Sequence, residues 1–346
     1  MKHWKRRLAL FLAAALCAAA LSGCGREGEG LELSVCVGDA PEELDPIYAG
    51  ETADQTILVH LYENLMRRTA AGVMEGMARS AESEENPDGT VTWTFQLRDA
   101  EWSDGRQVLA ADFVYAWQRL ADPASGSPNA SLLSVVAGYD AVQETGDPAL
   151  LQVTAEDDRT LVVVLNGNCS WFLSEVCTSP AAMPLRQDLL TGATEADETA
   201  ETAEDAETAP ETTEAEPWWS DVTALVTNGP YQVSGYQAGE SLTLEASETY
   251  YGDISGPQTL TFRFAGTAEE GQALYDEGAV DFLGALPEER LAALAEEESP
   301  ALTPELGVQA VVFNCAQDTL MDARVRLALS LAIDRPAAAE AAGPAA

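Results

Sequence analysis

The sequence predicts an α/β fold, and three observations carry that prediction. Strand-like and helix-like hydrophobic periods alternate over residues 259–333. Two earlier stretches, 31–37 and 91–97, alternate apolar with polar residues as half-buried strands do. The 346 residues are 46% hydrophobic and 7% aromatic, a globular composition with length for about two domains.

The elements follow in chain order. Leu31, Leu33, Val35 and Val37 alternate with Glu32, Ser34 and Cys36, which predicts a strand; a loop follows through Leu44-Asp45-Pro46. Over 53–68, Ile57, Leu58, Leu61, Tyr62 and Leu65 recur at three and four, predicting one amphipathic helix that carries His60 as a surface or supporting residue. Asn86-Pro87-Asp88-Gly89 is a turn into the strand built on Val91, Trp93, Phe95 and Leu97. A second turn, Trp102-Ser103-Asp104-Gly105, leads to a helix over 111–120 closed by Asp122-Pro123. Trp93 and Phe95 fall on one sheet face, and Trp117 shares a helix face with Phe113; this is core geometry. Residues 160–165 form a β-branched strand, and Trp171-Phe172-Leu173 opens a short helix. A hairpin joins 231–236 to 241–246, with strands at 259–264, 279–283 and 307–314 and helices at 267–277, 287–297 and 323–333.

The first 24 residues read as a secretory leader. Lys2, Lys5, Arg6 and Arg7 precede an apolar run over 8–20, too short for the ~20 residues of a membrane-crossing helix. Leu21-Ser22-Gly23-Cys24 resembles a bacterial lipobox, so 1–23 is expected to be removed, Cys24 lipidated, and 24–30 left as a tether. Of six cysteines, Cys36, Cys169, Cys177 and Cys315 then remain in the body. A helix from 170 to 178 would separate Cys169 and Cys177 by ~12 Å, too far for a disulfide, so buried free thiols are expected.

Lys+Arg 18 against Asp+Glu 58 sets a formal charge of −40, which becomes −44 without the four basic residues of the leader. Such a field excludes most nucleic-acid partners. Ten of the acidic residues lie in 191–217, where only Ala and Pro represent the apolar side, and this insertion is expected to be disordered. Catalytic signatures are lacking. The body has a single histidine, His60, no Gly-x-Ser-x-Gly elbow, no phosphate-cradling Gly-x-x-x-x-Gly-Lys and no Cys-x-x-Cys pair. A secreted carboxylate-based hydrolase stays open as an alternative, because with this many carboxylates a close pair is expected by chance.

Local blocks carry a resemblance. Leu44-Asp45-Pro46, Leu61-Tyr62-Glu63-Asn64-Leu65, Thr92-Trp93-Thr94-Phe95-Gln96-Leu97-Arg98, Trp102-Ser103-Asp104-Gly105, the run from Asp112 to Pro123, Thr227-Asn228-Gly229-Pro230-Tyr231, Asn314 and the run from Ala323 to Arg335 resemble, in order, bacterial extracellular solute-binding proteins of family 5. The resemblance implies a two-lobed, type II periplasmic-binding-protein fold with an inserted extra domain and, the chain being much shorter than usual for the family, an incomplete second lobe. It implies this organisation: a first-lobe segment over 31–68, an inserted domain over 69–185, the acidic insertion over 186–217, a first-lobe return over 218–264, the start of a second lobe over 265–335, and a disordered tail over 336–346. It implies a lipid-anchored, extracytoplasmic, monomeric receptor without cofactor or metal, capturing oligopeptides by backbone pairing and delivering them to an ABC permease with its ATPase subunits. Same-fold receptors take oligosaccharide, haem or nickel; one body histidine disfavours nickel. Ligand-binding positions carried over are Gly50, Glu51, Thr52 and Asn129. Asn129 follows Ser127-Pro128 where the family often has an aromatic, and Leu109 stands where it usually has a helix-capping Thr.

Overall fold

The computed structural model describes residues 30–41, 43–50, 52–191, 219–296 and 310–341. The leader, Cys24, Glu51 and most of the acidic insertion lie outside these residues.

Strand β1 (Glu32–Cys36) is followed by a tight turn at Pro46–Tyr48 and helix α1 (Thr52–Leu61). The chain then reverses into a hairpin of β2 (Met66–Thr69) and β3 (Gly72–Glu75), and continues into β4 (Ala78–Glu85) and β5 (Val91–Leu97). Helices α2 (Ala110–Ala121) and α3 (Tyr139–Thr145) precede β6 (Val153–Asp157) and β7 (Thr160–Leu165), and α4 (Gln187–Thr191) follows. Beyond the insertion come β8 (Tyr231–Gln237), β9 (Ser241–Ala246), β10 (Thr259–Arg263), α5 (Ala268–Asp276), β11 (Phe282–Leu283), α6 (Glu288–Glu296), α7 (Asp318–Met321), α8 (Ala323–Ala332) and α9 (Arg335–Ala341).

Two larger sheets result. One is antiparallel in the order β4-β5-β7-β6, with Val91 opposite Leu165 and Phe95 opposite Leu161. The other is mixed, in the order β11-β1-β10-β9-β8, with β1 parallel to both β10 and β11. The mixed sheet therefore joins β1 to residues 231–263. Phe282 and Leu283 also pair with Val35 and Cys36, so the 265 boundary of the expected second lobe passes through a single sheet.

The core confirms the aromatic reading. Phe95 and Trp117 are fully buried, and the Phe172 ring meets Trp93 at 5.8 Å, Phe95 at 6.2 Å and Trp117 edge-on at 6.2 Å. Phe172 reaches them from a single π-helical turn, Phe172–Val176, instead of an α-helix. Helix α2 starts without the missing Thr cap. Asp112 compensates directly, its carboxylate accepting the Leu109 N–H at 2.9 Å, the return half of a capping box.

Several elements differ from the sequence reading. The helix expected over 53–68 stops at Leu61, because the backbone after it is captured from far along the chain: the Gly229 N–H donates to Leu61 O at 2.8 Å, and the Asn228 carboxamide pairs with both the N–H and C=O of Glu63. Residues 310–314 form no strand. Arg186 and α4, assigned to the acidic insertion, are ordered, with Arg186 buried between Asp104 and Asp188. The tail assigned as disordered begins with helix α9. Cys36 and Cys177 are buried free thiols as expected, whereas Cys169 is half-buried and Cys315 exposed.

Candidate functional site

The segment from Asp45 to Thr52 is built by local chemistry and then pinned from a distance. Asp45 caps the turn at Pro46–Tyr48 by accepting the Ile47 N–H at 3.3 Å. Arg119, near the end of α2, donates to both Asp45 oxygens at 2.9 and 2.6 Å in a bidentate pair. The Asp45 side chain is 2% exposed, so the guanidinium neutralises a charge that could not otherwise be buried.

The 125–129 turn holds the other side. The Tyr48 hydroxyl donates to Ser125 O at 2.6 Å, and the Ser127 hydroxyl to Ile47 O at 2.6 Å. Asn129 Nδ2 donates to Ile47 O at 3.1 Å and Ala49 O at 3.0 Å. Immediately beyond, Gly50 and Thr52 are exposed, Thr52 being the first residue of α1. The structure thus brings Gly50, Thr52 and Asn129 around one loop; Glu51 lies between them, outside the described residues. Gly50 O accepts Gln55 Nε2 at 3.4 Å and Thr52 O accepts Thr56 Oγ1 at 2.7 Å, so backbone pairing on this braced loop falls to its main-chain N–H groups.

Two further joints involve other blocks. Trp102 Nε1 donates to Asp112 Oδ2 at 3.1 Å, and Ser103 exchanges hydrogen bonds with Thr227, its N–H reaching Thr227 O at 2.7 Å and its Oγ accepting the Thr227 N–H at 3.1 Å. Burial pushes the Asp112 carboxyl up to about 6, against its hydrogen bonds from Leu109 and Trp102. The other joint centres on buried Glu63, which accepts Arg67 Nη2 at 2.6 Å and the Tyr250 hydroxyl at 2.7 Å. Arg186 and the Tyr250 partnership carry no motif of their own, and only their distance from a block acid in the folded chain reveals them, whereas Arg67 stands four residues from Glu63 in the sequence.

Cavities of about 310 and 710 Å³ lie elsewhere, the first against His60, Tyr231 and Tyr250, the second against Arg106, Tyr115 and Arg186; neither is lined by Gly50, Thr52 or Asn129. His60 donates Nδ1–H to Thr56 O at 2.7 Å, with its ring against Tyr231 and Phe262. Burial holds this imidazole below its ordinary pKa. Its position is that of a packed helix residue, with no nucleophile among its described hydrogen-bond partners.

The model of "Bacterial extracellular solute-binding proteins, family 5 Middle" matches residues 75–346. The chain belongs to this family. Family 5 is a family of solute-binding proteins and not of enzymes. The periplasmic murein peptide-binding protein MppA of Escherichia coli is 29% identical over 88% of this chain and 53% of its own length. The periplasmic oligopeptide-binding protein OppA of Escherichia coli is 30% identical over 86% and 52%. The Haemophilus influenzae OppA structure, in complex with the peptide RPPGFSPFR, superposes with a TM-score of 0.73 at 28% identity, covering 90% of this chain and 57% of that one. The fold is therefore the mixed α/β binding-protein fold, and the chain spans about half the length of the curated relatives it matches.

Proposed function

We propose that this family 5 chain serves as the substrate-capturing component of a peptide ABC importer, held outside the cytoplasmic membrane by a lipid on Cys24. The observation that carries the reading is the loop ending at exposed Gly50, braced by Asp45–Arg119 and the 125–129 turn, in a chain related to peptide binders. A ligand strand pairing there with Gly50, Glu51 and Thr52 gains affinity from backbone groups, which is indifferent to ligand sequence. Closure of a second lobe over it would be a population shift toward the form with more ligand contacts. The permease and its ATPase subunits would receive the peptide.

Calorimetric titration of the 346-residue chain with a mixed pool of short peptides tests the ligand class. Saturable heats with peptides, and none with oligosaccharide, haem or nickel, are expected; saturable binding of one of those without peptide binding would refute the reading. Membrane retention of the wild type and its loss in Cys24→Ala tests the anchor separately.

A further inference from the structure

We propose that Asn129 is a positioning residue for the ligand-facing edge, acting through the 45–50 loop and not by touching ligand. The proposal rests on the reading of Gly50 as part of that edge, and it accounts for the departure from an aromatic at this position. The loop has two firm ends, Asp45 in its ion pair with Arg119 and the first turn of α1. Between them Ile47 O and Ala49 O turn toward the same point on the 125–129 turn, and Asn129 Nδ2 meets both, at 3.1 and 3.0 Å.

Two carbonyl oxygens converging on one atom need a donor with two hydrogens. A carboxamide supplies them; a hydroxyl or a tyrosine has one, and a carboxylate has none and would set a negative charge against two acceptors. The turn that carries Asn129 is itself ordered by side chains. The Asn129 N–H donates to Ser127 Oγ at 3.1 Å, and the Ser127 N–H to Ser125 Oγ at 3.2 Å. Ser127 Oγ donates onward to Ile47 O, so the brace is continuous from the 125–129 turn to the residue before Gly50. With both amide hydrogens engaged on the protein, the Asn129 side chain has no N–H left to offer a ligand, and Gly50 is delivered in one conformation at low entropic cost to binding.

The test pairs Asn129→Asp, nearly isosteric, with Asn129→Ser, read by hydrogen exchange mass spectrometry and by peptide titration of the full chain. The expected result is exchange of the 47–49 amides, which are hydrogen-bonded within the turn, faster by at least about tenfold in both variants, as loss of two hydrogen bonds implies. Exchange in β5 and β7 stays at the wild-type rate, which also reports that the variants fold. Peptide affinity falls in parallel. Unchanged exchange over 47–49 in Asn129→Asp overturns the proposal, since a residue needed only for packing would tolerate that swap. Weakened peptide binding with unchanged loop exchange overturns it too, making Asn129 a contact residue. Faster loop exchange in a chain whose wild type binds no peptide upholds the positioning role and removes the peptide reading instead.

Discussion

Replacing Asp112 with asparagine should change how stability depends on pH, and the size of the change follows from the site. Asp112 is 9% exposed, and burial raises its carboxyl from 3.8 to about 6 despite hydrogen bonds from Leu109 and Trp102. A folded-state pKa above the unfolded one means that folding favours the protonated form. The group's contribution is fully present below pH 3.8 and is lost as pH rises through about 6. A gap of about two units corresponds to roughly 3 kcal/mol of penalty at pH 7, at about 1.4 kcal/mol per unit. The sequence pI of 4.1 makes the acid end prone to precipitation, so the useful window is pH 5 to 7. There the wild type should lose a little over 1 kcal/mol, roughly, from this carboxyl alone. The carboxamide in Asp112→Asn keeps one oxygen to accept both N–H groups and carries no charge. Urea unfolding of both proteins at pH 5, 6 and 7 should show the stability difference moving in favour of Asp112→Asn by that amount as pH rises. A difference constant to about 0.3 kcal/mol across the window would refute the burial penalty.

Three other changes probe the joints. Arg119→Ala strands the buried Asp45 carboxylate and should cost about 3 kcal/mol in denaturant unfolding, with faster exchange over the 45–50 loop. Gly229→Ala places a Cβ 2.5 Å from the Leu61 carbonyl carbon, a backbone atom with nowhere to move, and should lower the thermal midpoint far more than Gly235→Ala, whose nearest neighbour is a side-chain atom at 3.7 Å. Cys315, exposed, should be alkylated by iodoacetamide in the native protein, while Cys177, buried and with its thiol pushed well above the usual range, should react only after unfolding, as peptide mass mapping will show.

The parts legible in the sequence are those whose pattern is local. β5, β7 and α2 fall where their periods and turn residues place them, and Phe95, Trp117 and Phe113 pack as alternation on a strand and a helix dictates. β4 reads Ala-Arg-Ser-Ala-Glu-Ser-Glu-Glu, an edge strand whose charged face erases the apolar alternation, and it escapes a hydrophobic reading. The 53–68 stretch misleads for the opposite reason. Leu61 and Leu65 keep helical spacing, but the competing partners at Glu63 and Leu61 lie 165 residues or more along the chain.

The candidate site divides the same way. Its blocks, its acidic character and its family resemblance stand in the linear order of residues, because each depends on neighbours a few positions apart. That Asp45 is neutralised by Arg119, that Glu63 meets Tyr250, and that Asn129 braces the loop before Gly50 are decided only when strands and helices close on one another. Long-range hydrogen bonds leave no period in a sequence; they follow from burial, which forces each buried polar group to find whichever partner the fold brings within about 3 Å.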